Sequence, residues 1–533
     1  MKTSSLVIRF ALLIGLFATS ANAQLLQAAH IGYIYPAGGQ VGTTFEVVVG
    51  GKGLARVQAI HVSGPGVEVK YLDHVTNYKR KLGEHMRYVG KQRSGKSTKA
   101  GQDKRKFGEP PEHEMFTRLE ELSTRELRQV ANKFASKERV QRNRELDELV
   151  ILEVTIAEDA KPGMRELKLL TGAGGATNPV RFMVNTLPEA REHEPNDLKA
   201  PPESHMQPPF IMNGQIMPGD EDRFSFDAAK GQQLVVHVRA RELVPYLADA
   251  VPGWFQAVVA VLDDSGNELA YADDFFFDPD PALLFEAPEA GTYHVVIRDS
   301  IYRGREDFVY RVAVGEIPFV TGIFPLGAKS GSKTAASMYG WNLPATRLAL
   351  DTSKGSKRIR DVYFEKDGLV SNTVRHAVGD LPESVEKEDN DSIRKAGTIK
   401  AQSVLNGRIS KPGDVDFYRF KARKGQVLKV SVTARRLRSP LDPMLRVLDD
   451  DGRVLAWNDD MQDTGSLTDR AGMLTHAADP ELLFTAPARG TYFIQVSDTQ
   501  NQGGETHAYR LSLAAPQPGF EVYITPSTVT IPA

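Results

Sequence analysis

The sequence has no cysteine among its 533 residues. That absence excludes disulfides, thiol nucleophiles, cysteine-ligated zinc, C-x-x-C-H haem attachment and anchoring through a lipidated cysteine. Long apolar runs are also missing. Past the N-terminus, no segment reaches the roughly 18 consecutive apolar residues of a membrane span. Neither G-x-S-x-G nor H-E-x-x-H occurs, and His113-Glu114 is followed by Met-Phe-Thr. The 12 histidines are scattered, no Ser/His/Asp set stands out, and no block singles out a carboxylate pair for glycoside hydrolysis. These absences point to a protein that is not an enzyme. The net charge is −2, so charge acts locally here rather than as a global field. There is no nucleic-acid-binding motif and no basic patch interleaved with aromatics, so a nucleic-acid partner is not expected.

What is present begins with MKTSSLVIRFALLIGLFATSANA. Lys2 and Arg9 precede the apolar run Phe10 to Phe17, and Ala21-Asn22-Ala23 supplies a small-x-small cleavage site. Residues 1–23 read as a secretory signal peptide, with a membrane anchor as the alternative. The mature chain is expected to start near Gln24, to carry no transmembrane segment, and to be secreted, periplasmic or on the cell surface. A content of 41% apolar and 25% charged residues is that of an ordinary globular chain. The length suggests about three to five domains.

The chain is duplicated. IYPAGGQVGTTFEVVVGGKGL (34–54) aligns without gaps to IFPLGAKSGSKTAASMYGWNL (323–343), and NPVRFMVNTLPE (178–189) to NTVRHAVGDLPE (372–383). NGQI (213–216) matches NGRI (406–409), and PGDEDRFSF (218–226) matches PGDVDFYRF (412–420). AKGQQLVVHVRAREL (229–243) pairs with RKGQVLKVSVTARRL (423–437), and DPALLFEAPEAGTYHVVIRDS (280–300) with DPELLFTAPARGTYFIQVSDT (479–499). Blocks recurring in one order define an A–B–A–B architecture.

Both unit types read as β. Leu234–Val238, Gly291–Ile297 and Phe308–Val314 alternate, and Leu262–Leu269 is a hairpin around a Gly turn. In the first A unit, Thr44–Val49, Val150–Ile156 and Met164–Leu170 read as strands. Short strands with Gly and Pro turns predict an all-β chain of tandem β-sandwiches, Ig-like and jelly-roll. An insertion at about 75–148 interrupts the first A unit. Its first part, 79–106, holds eleven Lys/Arg and reads as a mobile basic loop, solvated or open to a polyanion. Its second part reads as helical. Met115, Leu119 and Leu122 share one face, and Ser123-x-x-Glu126 is a capping box ahead of Leu127, Val130 and Phe134.

Two acidic stretches carry chemistry. REHEPND (191–197) recurs as VEKEDND (385–391). In an extended chain residues i and i+2 point the same way, so Glu192 and Glu194 present two carboxylates on one side. Asn196 adds an amide oxygen and Asp197 a further carboxylate, and the loop Gly219-Asp220-Glu221-Asp222 can close the set. Calcium takes about six to eight hard oxygens in loose geometry. The lack of cysteine and of nearby histidines, His193 aside, disfavours zinc and copper. The alternative is a solvated acidic linker used twice.

The strings E-x-E-x-N-D, N-G-x-I, G-D-x-D-x-[FY]-x-F, K-G-Q-x-L and G-T-Y resemble the bacterial pre-peptidase C-terminal (PPC) domain in both B units. I-x-P-x-G…G and G-x-x-L resemble TIG/IPT Ig-like domains in both A units, a combination seen in planctomycete-type exported proteins. The resemblance implies jelly-roll modules that serve binding, secretion or maturation beside secreted peptidases without being catalytic, and calcium at the acidic linker. Carried across, the calcium ligands are Glu192, Glu194, Asn196, Asp197, Asp220 and Asp222, then Glu386, Glu388, Asn390, Asp391, Asp414 and Asp416. The implied layout is signal peptide 1–23, Ig-like domain 24–190, PPC-like sandwich 191–316, Ig-like domain 317–384, PPC-like sandwich 385–515 and a β stub at 516–533. Such a chain is expected to be an exported, non-catalytic binding or adhesion protein. Its partner would be an extracellular protein or polysaccharide. The alternative is an accessory or spacer part of a secreted hydrolase system.

Other features read more plainly. Asp273-Asp274, Asp459-Asp460, Asp278, Asp280 and Asp479 suit turns bonding their own backbone. Phe275-Phe276-Phe277 suits an interdomain contact. Tyr246, Trp254 and Phe255 suit core packing before a binding surface.

Overall fold

The computed structural model describes residues 29–93, 119, 121–128, 146–172, 175–194, 196, 204–244, 255–355, 358–366, 368–460 and 478–517. The expected signal peptide, Asp197, Met115, Val130, Phe134, Tyr246, Trp254 and most of the C-terminal stub lie outside these residues. The described elements are nearly all strands, as the alternating patterns require, and they form two compact units that divide between Val184 and Asn185.

In the first unit, one sheet orders His30–Tyr35, Thr44–Lys52, Glu148–Ile156 and Val67–Thr76. The second orders Gly38–Gln40, Val180–Asn185, Gly163–Thr171 and Val57–Val62. All three strands expected here fall inside observed ones. Val47, Val49, Leu152, Val154, Leu167 and Phe182 are buried, as a sandwich core requires.

The basic segment requires a correction. Tyr78–Arg93 is an α-helix, not a loop. Leu82, Met86 and Val89 fall on one face at helical spacing and are buried with Leu119 and Leu127. The charge count hid that apolar stripe. The capping box holds: Ser123 N–H donates to Glu126 Oε2 at 2.6 Å, and Glu126 N–H to Ser123 Oγ at 3.2 Å.

The second unit carries two sandwiches of identical strand order. In the first, Glu189–Arg191, Phe210–Gln215, Val309–Gly315, Gln233–Arg239 and Ala282–Glu286 form one sheet. His205–Met206, Glu221–Ala228, Gly291–Asp299, Ala257–Asp263 and Glu268–Ala272 form the other. The later sandwich repeats this with Glu383–Val385, Ser403–Arg408, Ala508–Ala514, Val427–Thr433 and Glu481–Thr485. Facing it are Gly397–Thr398, Val415–Ala422, Gly490–Asp498, Pro443–Leu448 and Val454–Asn458. Each core lies between its two sheets.

The domain boundaries shift as a result. Glu189–Arg191 pairs in parallel with Phe210–Gln215, and Glu383–Val385 with Ser403–Arg408. A cut at 190/191 or 384/385 therefore severs a strand whose hydrogen bonds belong to the following sandwich.

Between the sandwiches, Phe319–Phe324, Ala335–Trp341 and Arg347–Ala349 face Gly327–Lys329, Val374–Gly379 and Ile359–Val362 as two small sheets. One device links this domain to the first unit. Asn178 accepts from Ile31 N–H at 2.7 Å and donates to Ile31 O at 2.9 Å. Asn372 does the same to Val320, at 2.7 and 2.9 Å. Each amide satisfies backbone groups at the start of its domain's first strand. Phe275 packs edge-on against Phe319 and Trp341, the expected interdomain contact. Phe255 stacks on Phe308 in the core.

Candidate acidic-loop sites

The Gly-Asp-x-Asp turns aim the acids. Gly219 (φ 75°) and Gly413 (φ 80°) hold left-handed backbone that L side chains adopt at a cost. The strands that follow alternate, so Asp222, Phe224, Phe226 and Ala228 face the core together, as do Asp416, Tyr418, Phe420 and Ala422. The second aspartate of each turn is thus drawn into the end of the sandwich. Asp222 and Asp416 are both fully buried.

In the first copy, carboxylate oxygens of Glu194, Asp220 and Asp222 lie within 4.8 Å of one another. Asp220 is held by its own turn, accepting from Met217 N–H and Glu221 N–H, each at 3.0 Å. Asp222 Oδ2 accepts the Tyr310 hydroxyl at 2.7 Å, and Glu192 Oε1 accepts Gln215 N–H at 2.8 Å. The second oxygens, Glu192 Oε2 and Asp222 Oδ1, are buried and meet no donor. Burial pushes both carboxyls well above the ordinary range, and each charge raises the other.

In the second copy, Glu388, Asp414 and Asp416 lie within the same 4.8 Å. Asp414 accepts Ser410 N–H at 2.6 Å, Ser410 Oγ at 2.7 Å and Val415 N–H at 3.0 Å. Glu386 accepts Arg408 N–H at 2.6 Å and the Tyr418 hydroxyl at 2.7 Å. Tyr418 Oη lies 2.6 Å from Tyr509 Oη, and Tyr509 donates to Asp416 Oδ2. This chain of four oxygens has three short contacts but only two hydroxyl protons, so a third proton belongs to it. Asp416, pushed up to about 9 mainly by burial and then by Glu386, is its natural holder; burial also lifts Glu386 to about 7. Asp416 Oδ1 is buried without a partner.

One further pair marks both loops. Asn196 and Asn390 are each 1% exposed, and neither the amide oxygen nor the amide nitrogen of either has a hydrogen-bond partner. A buried polar group left unsatisfied costs about 1–3 kcal/mol. Asn196 N–H donates to Glu194 Oε2 at 3.1 Å, and Asn390 O accepts Phe417 N–H at 3.0 Å, beside Asp416.

Of the twelve expected ligands, the clusters thus bring together Glu194, Asp220 and Asp222, and Glu388, Asp414 and Asp416. Glu192 and Glu386 adjoin them, and Asn196 and Asn390 are buried alongside. Asp391 is exposed and stands 3.8 Å from Lys411 Nζ. Asp280 and Asp479 do what loop aspartates do. Asp280 accepts Arg241 N–H at 2.6 Å and Glu242 N–H at 2.7 Å, and Asp479 accepts three successive backbone N–H groups at 434–436.

Two repeated elements escaped the motif reading. The tyrosines at 310 and 509 cap the buried aspartates. Gly214 and Gly407 make room for them, since a Cβ would sit 2.2 Å from Tyr310 Oη and 2.5 Å from Tyr509 Oη. Beside them, buried Arg311 pairs with Glu189 at 2.6 Å, and Asn213 donates to Glu189 at 2.8 Å. Arg510 pairs with Glu383, and Asn406 donates to Glu383 at 3.0 Å. The signal was in the repeated L-P-E, N-G and Y-R strings, which matched without showing that they meet in space.

Residues 414–498 match the bacterial pre-peptidase C-terminal domain family. A probable subtilase-type serine protease of Deinococcus radiodurans is 30% identical over 162 residues, which is 28% of this chain and 20% of that protein. The chain therefore spans a small part of the curated relative it matches. The pre-peptidase C-terminal domain of a Bacillus anthracis collagenase is 18% identical, covering 22% of this chain and 93% of that one at a TM-score of 0.17. Aeromonas hydrophila PliG, a periplasmic inhibitor of g-type lysozyme, is 16% identical over 25% of this chain and 98% of that one, at 0.16. Scores this low carry no argument, and the fold rests on its own topology. The matched module is of an accessory, non-catalytic type. No helix among the described residues is long and apolar enough to cross a membrane.

Proposed function

We propose that both sandwiches are PPC modules, each holding a calcium ion at its acidic loop, and that the chain is an exported, non-catalytic binding protein. One observation carries the calcium reading. At the same place in two copies, a buried asparagine with no partner adjoins buried carboxylate oxygens that no donor faces. A hard cation satisfies such oxygens where hydrogen-bond donors do not. The donor set is all oxygen, which suits calcium better than a thiophilic metal. Glu194, Asn196, Asp220 and Asp222 would hold one ion, and Glu388, Asn390, Asp414 and Asp416 the other. Each ion would supply the positive charge that keeps these acids ionised in the core.

The binding role draws support from the module type and from the absence of nucleophile and zinc-protease motifs. The similarity to a probable subtilase-type protease favours a second reading, a part that accompanies a secreted hydrolase. Thermal melting with and without calcium, on the wild type and on Glu194→Ala with Glu388→Ala, tests the ion. A calcium-dependent rise lost in the double variant is expected; no rise in the wild type sinks the proposal. Hydrolysis of generic peptide or glycoside substrates by the pure protein would overturn the non-catalytic reading.

A further inference from the structure

A cleft of about 470 Å³ opens where the first sandwich, the intervening small domain and the second sandwich meet, away from the acidic loops. Its size falls within the roughly 300–1,000 Å³ of small-molecule sites. Two of its residues are bulky, non-glycine and in left-handed backbone: Phe276 (φ 57°) from one sandwich and Arg438 (φ 61°) from the other. Such conformations persist where the surroundings impose them, and they gather at ligand sites.

The walls differ in chemistry. Phe276 is 44% and Phe277 38% exposed, an unusual cost for two adjacent phenylalanines. The Arg435 guanidinium lies 3.2 Å from the centre of the Phe277 ring, fixing it as a flat platform. Arg435 and Arg436 already hold Asp442 and Asp479, at 2.9 and 2.7 Å. Arg438 is different. Its nearest carboxylates, Glu242 and Asp278, stand at 3.7 and 3.8 Å, beyond hydrogen-bond reach. Asp278 lies in the field of both Arg438 and Arg375, so cationic groups outnumber acids at that point.

Main-chain recognition is closed off. The strand Phe319–Phe324 lines the cleft, but the N–H and C=O of Val320 are both taken by Asn372. Gly322 is covered by Thr506, which a Cβ there would meet at 2.8 Å. An extended peptide adding as a strand finds no edge. What remains is a guanidinium held loosely, carboxylates that can accept, and exposed ring faces.

We propose that this cleft binds a carboxylated oligosaccharide of the uronic-acid class. A planar carboxylate suits the Arg438 fork. Sugar hydroxyls both donate and accept, which suits alternating arginines and Asp278 or Glu242. The C–H face of a pyranose ring suits the Phe276–Phe277 platform. The inference rests on the binding-protein reading above and names its ligand class; it does not rest on calcium.

The test is calorimetry of the full chain in saturating calcium against trigalacturonate, an oligoguluronate and a hyaluronan tetrasaccharide. The carboxyl-reduced counterpart of the bound sugar and a tetraglutamate peptide are the controls. Saturable binding to at least one uronate is expected, with none to its reduced form and none to the peptide. Arg438→Ala should weaken binding about tenfold, the order of one lost charge-assisted hydrogen bond, and Phe277→Ala should weaken it too. Melting temperatures of the variants verify folding, and Arg438→Lys should recover little because the fork is lost. Silence toward all three uronates, equal binding of the peptide, or full affinity in a folded Arg438→Ala protein each overturns the proposal. A calcium-insensitive protein that still binds uronate would defeat the ion reading alone.

Discussion

Position 224 of the first sandwich is phenylalanine, and its counterpart in the second, 418, is tyrosine. Around that difference the two acidic loops share every described candidate ligand. Tyr418 donates to Glu386 and meets Tyr509, so the carboxylates of the second loop are linked through hydroxyls. In the first, Tyr310 reaches only Asp222, and Glu192 Oε2 faces no donor. The second loop carries part of its own neutralisation in hydrogen bonds and a retained proton. The first depends more on whatever cation it binds. Duplication kept the ligands and let the supporting hydroxyl vary.

The largest effect should come from what the copies share. Arg311→Met and Arg510→Met each strand a buried glutamate, Glu189 or Glu383, and should cost about 3–5 kcal/mol by denaturant unfolding. Similar losses in both copies would show that the difference lies at the acids and not in the framework. Next, chelation should hurt the first sandwich more. Glu194→Ala should remove more of the calcium-dependent stability than Glu388→Ala, out of about 2.7 kcal/mol for a site at a hundredfold excess of calcium over its Kd. Equal losses would erase the asymmetry. Tyr418→Phe should convert the second loop to the first type, costing about 1.5–3 kcal/mol in chelator for a hydrogen bond to a charged group, and less in calcium. An equal cost in both conditions would separate the hydroxyl from the ion.

The smallest effect is in pH. Without calcium, Glu386 and Asp416 hold protons in the fold that the unfolded chain releases near the ordinary carboxylate range, about pH 4. Their raised values, about 7 and about 9, stabilise the fold at low pH, and that stability is lost as pH rises through them. Melting in chelator should therefore fall from pH 5 to 9, and calcium should flatten the trend by displacing the protons. A trend identical with and without calcium would contradict this.

Much of the fold was legible because alternation and the repeated blocks are local signals. Leu234–Val238 and Val150–Ile156 fell inside observed strands. The basic helix was not, because eleven cations masked the stripe Leu82, Met86 and Val89. The acids of the site were legible as spacing. Tyr310, Tyr509 and the Glu189–Arg311 pair were not, because they come from strands about a hundred residues apart in sequence whose pairing no local pattern encodes. The three-module cleft was invisible for the same reason.

Calcium titration calorimetry on the chelated wild type, with Glu194→Ala and Glu388→Ala alongside, tests the central claim most directly. Two saturable sites are expected, one surviving in each variant, with the tighter site lost in Glu194→Ala and protons released on binding. Absence of saturable calcium binding in the wild type, or two sites persisting in either variant, would contradict the account.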